Sequence, residues 1–383
     1  MDRDRSGISV PPRQPAPSIP PRQPAPAFIE KIRRDESTGS LERMATDPMI
    51  PTRIPTIAHP QPVGEPAAMP VPGTTPDPVH TPHVARRPPY TGWRRAVHHM
   101  SAGAIDPGRS TDDLYHESLL DRIRQPLGSD YRIAVLSLKG GVGKTTTTVG
   151  LGSAFAAERD DRVIAVDANP DLGTLTQRIP ARTGSTVRDL LRGGPYQYYS
   201  QVRAYTAQAA TGLEVLGGER DPAISEAFDE TEYRDVIGLL QRFYNIILTD
   251  CGTGLMHSAM RGTLGVSHTL VLVSSPALDG ARSAAATLDW LELHGYAHLI
   301  RHAVVVISSA RPGNPNIHIE QLRRYFLGRC RAVHVIPFDW HLCVGDGIDP
   351  VAMHPRTRRA YLELAATIAD DFTAGLSRYA KLR

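Results

Sequence analysis

The sequence predicts an α/β fold: a doubly wound, mostly parallel sheet of about seven strands with helices on both faces, preceded by a disordered Pro-rich tail. Short β-branched runs alternate with segments of helical period, which is typical of strand–helix–strand units. These runs lack polar alternation, as expected for parallel strands buried on both faces. Proline is also unevenly distributed, since 22 of the 33 prolines lie in residues 1–110.

Residues 1–110 are predicted to be the tail, because a segment that is one-fifth proline lacks the backbone donors that helices and sheets need. Within it, Pro-Pro-Arg-Gln-Pro-Ala-Pro occurs twice, at 11–17 and 20–26. Such repeats favour the extended polyproline II conformation. The sequence leaves two interpretations open, a docking ligand for a partner with an aromatic groove and a solvated spacer.

Residues 111–130 are predicted to form a helical lead-in that ends near Pro126, and residues 131–383 to form the α/β domain. Apolar runs predict strands at 131–137, 162–167, 213–216, 244–250, 269–274, 303–308 and 332–336. Helical periodicity predicts helices at 144–158, 230–243, 279–293, 316–327 and 356–377.

Charge and cysteine content exclude several classes of protein. Residues 1–110 carry a formal charge of +4 and the remainder −1, which argues against a basic nucleic-acid-binding core. The three cysteines are too few and too far apart for a disulfide framework or a Cys-rich zinc site. No apolar run approaches the roughly 20 residues of a membrane span, and no signal peptide is recognisable. We expect a cytoplasmic protein, with peripheral association at the inner face of the membrane as the open alternative.

The segment Lys-Gly-Gly-Val-Gly-Lys-Thr-Thr at 139–146 follows a predicted strand and opens a predicted helix, the context of a phosphate-binding loop. Small residues let backbone N–H groups point at phosphates, and the helix N-terminus adds its positive dipole end. Two of the chain's four lysines lie here, although it has 39 arginines. The ligands expected are therefore the phosphates of a nucleotide, together with Mg²⁺. The residues predicted to bind the nucleotide here are Gly140, Gly141, Val142, Gly143, Lys144, Thr145 and Thr146.

Two predicted strands run into aspartates, Asp167 and Asp250. The carboxyl ends of parallel strands meet at one edge of a sheet, beside the phosphate-binding loop. Together with the Thr145 hydroxyl, these carboxylates are the predicted Mg²⁺ ligands. The alternative is that each simply ends its strand in a turn.

The loop departs from the general Gly-x-x-x-x-Gly-Lys-Ser/Thr pattern, because Leu138 occupies the first position and an extra lysine, Lys139, precedes the glycines. This is the deviant Walker A motif, and over roughly residues 131–375 the chain resembles the ParA/MinD family of P-loop ATPases. The resemblance implies that Lys139 crosses a dimer interface to reach the nucleotide of the partner subunit. Lys139, Lys144 and Asp167 are accordingly the predicted catalytic residues.

The same resemblance implies roles for residues farther along the chain. Asp250 corresponds to the Walker B aspartate and Asp167 to the first aspartate of switch I. Pro337 and Asp339 correspond to the loop that flanks the adenine ring. The resemblance also implies an ATP-driven dimerisation switch, with a homodimer in the ATP state.

A narrower likeness is to the proline-tailed, MinD-like proteins associated with type VII secretion, the EspI-like group. It is carried by residues 138–148, 167–170, 248–258 and 279–283. It implies an accessory or regulator of an export apparatus, with a protein partner bound through the Pro-rich tail.

Asn169 departs from the family pattern, which commonly has a second aspartate at this position of switch I. An amide can orient water but cannot accept its proton, so hydrolysis is expected to be slow or to need a partner. Two alternatives to the switch stay open. One is a nucleotide-holding scaffold with little turnover; the other is a chromosome or plasmid partition ATPase, which the charge of the domain disfavours.

Overall fold

The computed structural model describes residues 100, 110–169, 173–180, 183–219, 228–309, 311–312, 318–345 and 347–373. The described residues fall into two units, one that begins at Tyr115 and a second that ends at Leu114. Of the second unit, only Met100 and residues 110–114 are described. Nearly all of the proposed tail lies outside the described residues, so its disorder and its boundary at residue 110 stay predictions.

An eight-stranded, mostly parallel sheet organises the domain, in the order β3-β4-β2-β5-β1-β6-β7-β8. Its strands are β1 (Tyr131–Leu136), β2 (Val163–Ala168), β3 (Ala207–Gln208), β4 (Glu214–Leu216), β5 (Ile246–Cys251), β6 (Thr269–Ser274), β7 (Val304–Ser308) and β8 (Ala332–Ile336). Only the β3–β4 pair among them is antiparallel. The predicted fold class is confirmed. The strand beyond the predicted seven is β3, whose two residues carry no periodic signal.

Helices connect the strands and cover both faces of the sheet. Those described are α1 (Thr111–Ile123), α2 (Lys144–Glu158), α3 (Val187–Gly193), α4 (Tyr199–Arg203), α5 (Glu230–Leu240), α6 (Ser258–Val266), α7 (Leu278–Leu293), α8 (Ala297–His302), α9 (Ile319–Leu327), α10 (Trp340–Cys343) and α11 (Pro355–Ala369), with a 3₁₀ helix at Leu175–Arg178. The prediction missed α3, α4, α6, α8 and α10, which are too short for a clear period. Across the described ranges, no helix has both the length and the apolar character required to cross a bilayer.

The last predicted helix, 356–377, begins one residue after the observed start at Pro355 and extends past the observed end; residues 374–377 lie outside the described residues. Helix α11 ends at Ala369, and Asp370 and Asp371 form a turn. The Asp370 carboxylate is bound by the Arg122 guanidinium of α1 at 2.9 and 2.7 Å. This contact ties the end of α11 to the lead-in helix, which no local periodicity could predict.

Alternate residues of the central strand β1 enter opposite cores. Ile133 and Val135 join the cluster that contains residues of α2 and α11. Ala134 and Leu136 join the cluster that contains residues of α7 and α9. Every residue of β2, β5 and β6 is also buried. Burial on both faces explains why the strands appear in the sequence as uninterrupted apolar runs.

Helices α2 and α11 approach each other most closely where Gly150 faces Tyr361. A Cβ atom added to Gly150 would lie 2.4 Å from the Tyr361 ring. Both residues are buried. Because α2 begins at the predicted phosphate-binding loop, this contact helps to set the position of that loop.

We expect Gly150→Ala to lower the free energy of unfolding by about 1–3 kcal/mol, because the ring has to move in a packed core. Urea denaturation measures the change. The matched control is Gly238→Ala in α5, where an added Cβ meets nothing within 4 Å. There the lower entropy of alanine in the unfolded chain should stabilise the protein, by up to about 1 kcal/mol. Equal effects of the two substitutions would contradict the packing argument.

Candidate functional site

The loop between β1 and α2 has the backbone conformation of an open cradle. Gly141 and Gly143 have φ of +73° and +93°, in the left-handed region that favours glycine. A Cβ added to Gly140 or Gly141 would meet nothing within 4 Å, whereas at Gly143 it would lie 2.9 Å from the Ser308 Oγ. The glycines therefore leave the space over the loop open and allow β7 to approach its far end.

This loop borders a cleft of about 460 Å³. The loop residues from Lys139 to Thr146 line it, except Val142. The Val142 side chain is buried in the core, so this predicted binding residue is not part of the cleft lining. Pro337 and Asp339, the predicted adenine-flanking residues, line the same cleft. One cavity thus brings together the two segments that the sequence placed nearly 200 residues apart.

Beneath the loop, the predicted metal and phosphate residues meet. The Lys144 Nζ lies 3.3 Å from the Asp250 Oδ1, and the Thr145 hydroxyl donates to the Asp250 Oδ2 at 2.6 Å. The Thr148 hydroxyl adds a longer contact to Asp250, at 3.5 Å. The side chains of Lys144 and Asp250 are only 10% and 1% exposed. A buried ion pair of this kind is tolerable only where such hydrogen bonds satisfy its remaining polar atoms.

Asp167 lies opposite Asp250 in the register of the β2–β5 pair. Its carboxylate accepts backbone N–H bonds from Asn169 and Leu175, at 3.1 and 2.9 Å. Burial, reinforced by the neighbouring Asp250 charge, raises the pKa of Asp167 to about 7. Two buried carboxylates on adjacent strands form a site where added positive charge would be favourable.

Among the described residues, no three His, Cys, Asp or Glu side chains cluster as a metal site. Mg²⁺ in phosphate sites is usually held by one or two carboxylates together with waters and phosphate oxygens. The pair of carboxylates and the Thr145 hydroxyl fit that donor set.

The Lys139 side chain contacts a different carboxylate from the Lys144 side chain. Its ammonium forms an ion pair with the carboxylate of Asp279, in the first turn of α7. The hydrogen bond from Lys139 holds the pKa of the exposed Asp279 carboxyl below its usual value. Both side chains are substantially exposed, so this ion pair contributes at most about 1 kcal/mol and can be exchanged for another partner.

Asp339 is held in place by its own hydrogen bonds. The side chain is buried, and its two oxygens accept backbone N–H bonds from His341 at 3.0 Å and His354 at 2.8 Å. It thereby caps α10 and fixes the residue that precedes α11. His341 of α10 in turn accepts a backbone N–H bond from Asp349 at 2.8 Å.

Several cleft residues were not among the sequence predictions. Ser308 ends β7 and Ser309 follows it, at the same edge as Asp167 and Asp250, so the strand-end argument could have found them. Arg178 ends the 3₁₀ helix and also lines the cleft. Nothing in the local sequence distinguishes it from the other arginines of the chain.

The cleft contains a natural chemical probe, since Cys343 lines it and is exposed while Cys251 and Cys330 are buried. Burial raises the pKa of Cys251 to about 12 and that of Cys330 to about 11, so neither is a ready nucleophile.

We expect an aromatic disulfide reagent at pH 8 to modify one thiol of the native protein rapidly and three after unfolding in guanidinium. Absorbance of the released thiolate measures both numbers. Cys343→Ser should remove the rapid reaction. The two buried thiols should still react slowly, because they are enclosed by the sheet. Two rapidly reacting thiols in the native wild-type protein would contradict this assignment.

Comparison with known proteins agrees with this geometry. The family described as the CobQ/CobB/MinD/ParA nucleotide binding domain matches residues 133–344. The chain is 38% identical over 283 residues to the ESX-1 secretion-associated protein EspI of Mycobacterium tuberculosis, a match that covers 73% of this chain and 42% of EspI. The chain thus spans less than half the length of that relative.

Solved structures share the fold. The cell division ATPase MinD of Pyrococcus furiosus is 24% identical with a TM-score of 0.51, covering 62% of this chain and 98% of its own. A ParA family ATPase from Chlorobium tepidum is 19% identical with a TM-score of 0.53, covering 62% and 99%. With the family match spanning more than half of its residues, this chain belongs to the CobQ/CobB/MinD/ParA family of nucleotide-binding domains.

Proposed function

We propose that this chain is an ATP-dependent dimerisation switch that hydrolyses ATP slowly. The observation that carries the proposal is the convergence of Lys144, Thr145 and Asp250 beneath an open glycine loop, in a cleft large enough for a nucleotide. A loop of backbone donors at a helix N-terminus is suited to phosphate groups.

The residues present fit ATP and Mg²⁺. The amides of residues 140–146 and the Lys144 ammonium would hold the phosphates. The Thr145 hydroxyl and the Asp250 and Asp167 carboxylates would hold Mg²⁺, which when bound neutralises phosphate charge. Pro337 and Asp339 would border the base. Before any ligand binds, Lys144 and Thr145 are already oriented by Asp250, so little ordering of these side chains is needed.

Dimerisation would depend on Lys139. In one subunit its ammonium is held by Asp279 through an exposed ion pair, which costs little to break. The phosphates of a nucleotide in the partner subunit offer a stronger acceptor than a single exposed carboxylate. Lys139 would therefore exchange Asp279 for the partner's nucleotide when two ATP-loaded subunits meet.

The biological setting proposed is type VII secretion. The relative that is 38% identical carries a name that associates it with ESX-1 secretion. We propose a cytoplasmic accessory or regulator of such an apparatus, in which residues 131–383 bind nucleotide and residues 1–110 bind a protein partner. The polyproline repeats at 11–17 and 20–26 are the segments proposed to dock.

Lys144→Ala should reduce the affinity for MgATP by at least about 100-fold, because it removes a charge-assisted hydrogen bond and leaves Asp250 buried without its cation. Lys139→Ala should retain ATP affinity within about threefold and lose ATP-dependent dimerisation. Calorimetry measures affinity, and light scattering with ATP, ADP and no nucleotide measures oligomeric state. A Lys139→Ala protein that still dimerises with ATP would remove the proposed role of this lysine.

A second candidate function, a nucleotide-holding scaffold with little turnover, is favoured by Asn169. This residue lines the cleft, and its backbone N–H donates a hydrogen bond to the Asp167 carboxylate. The scaffold would bind MgATP with the same residues and would recruit partners without a hydrolysis cycle.

Asn169→Asp should raise the rate of phosphate release by at least about tenfold, since a carboxylate can accept a proton from water. Single-turnover release of labelled phosphate measures the rate, and Asn169→Ala is the control for loss of the amide. Release that stays at the uncatalysed level in Asn169→Asp would favour the scaffold over the switch.

A further inference from the structure

Arg178 ends the 3₁₀ helix that follows β2, yet it is attached to a segment from the other end of the domain. Its backbone carbonyl accepts the N–H of Ile348 at 2.7 Å. A Cβ added to Gly345 would lie 3.7 Å from its Nη1. Both neighbours come shortly after Pro337 and Asp339, the proposed base-side residues. Arg178 therefore lines the cleft where the segment after β2 meets the segment after β8.

The guanidinium of Arg178 has no partner within the described part of the chain. Its Nη1 is buried without a hydrogen-bond acceptor, and no carboxylate there forms an ion pair with it. The two lysines of the cleft differ, because Lys139 is paired with Asp279 and Lys144 with Asp250. A guanidinium cannot escape the cost of burial by losing its proton. An unsatisfied buried donor in a cleft is the arrangement expected when a ligand supplies the acceptor.

We propose that Arg178 binds the phosphate chain of the nucleotide, at phosphates that ATP and ADP share. This inference rests on the proposed function, which makes a nucleotide the ligand of the cleft. The planar fork of donors matches phosphate oxygens. The neighbours of Arg178 belong to the base-side segment, whereas Asp167, Asp250 and Thr145 form the proposed magnesium site. That position favours the inner phosphates over the terminal one.

The contact would also connect two segments that border the cleft. Arg178 follows the segment that contains Asn169, and its carbonyl bond to Ile348 joins it to the loop before α11. A phosphate bound by Arg178 would hold these two segments together. Binding of either nucleotide would then order the cleft on both sides, before the terminal phosphate is sensed.

The test compares Arg178→Met, which keeps an apolar stem of similar length, with Arg178→Lys, which keeps the charge. The matched control is Arg192→Met, at an exposed arginine of α3 outside the cleft. Calorimetry with MgATP, MgADP and MgGTP gives the affinities. Protection of the Cys343 thiol by each nucleotide reports occupancy independently of hydrolysis.

Arg178→Met should weaken MgATP and MgADP alike, by about 10- to 100-fold, with Arg178→Lys in between. The ratio of ATP to GTP affinity should stay as in the wild-type protein. Unchanged affinities would overturn the proposal. So would a loss confined to ATP, which would place the contact at the terminal phosphate, or a changed ATP-to-GTP ratio, which would place it at the base.

The melting temperature of the nucleotide-free protein separates binding from a structural role. Because the Arg178 Nη1 has no acceptor, Arg178→Met should melt no lower than the wild-type protein. A fall of several degrees in the melting temperature, accompanying the loss of nucleotide binding, would show that Arg178 supports the fold and would overturn the proposal. If wild-type protein and Arg192→Met both fail to bind MgATP, the proposed function fails as well; if they bind and Arg178→Met binds equally, only the Arg178 assignment fails.

Discussion

The parallel alignment of β1, β2 and β5 is the constraint on which the site depends. Asp250 is in register with Asp167 on one side and Val135 on the other, so the chain reaches the phosphate-binding loop directly above the Asp250 carboxylate. A shift of one residue in β5 would turn Asp250 to the other face of the sheet. The Lys144–Asp250 ion pair and the Thr145 hydrogen bond would then be lost together. Packing of the fully buried strands is what makes such a shift costly.

The same alignment concentrates charge where water is scarce. Asp250 is balanced by Lys144 and by two hydroxyls, whereas Asp167 is hydrogen-bonded by backbone N–H donors of the described residues. Burial and the neighbouring Asp250 charge raise the pKa of Asp167 despite those donors. Arg178 has the opposite imbalance, because its buried Nη1 donor meets no acceptor in the part of the chain that the structure describes. The cleft therefore contains both a negative and a positive group whose charge is incompletely balanced by its neighbours. A ligand that brings phosphate oxygens together with a divalent cation would correct both.

Short-range features were well predicted from the sequence. The start and end of α2 were predicted at residues 144 and 158, because the glycines before it and the apolar period within it are local signals. Strands β6 and β8 were placed at their observed bounds for the same reason. The five missed helices, α3, α4, α6, α8 and α10, have four to nine residues, too few turns for a reliable period, although α9 with nine residues was predicted. The end of α11 was missed because a contact with Arg122 of α1 helps to hold it.

By itself, the sequence determined the glycine-rich loop between β1 and α2, the aspartates near the ends of β2 and β5, and the fold class, because these depend on neighbouring residues and on strand order. Only the tertiary structure decided what the side chains contact: that Asp250 holds Lys144 and Thr145, that Lys139 pairs with Asp279, and that Arg178 lies unpaired in the cleft. The physical reason is distance along the chain. The groups in each of these contacts lie on different helices, strands or loops, and packing of the sheet sets the distances between them.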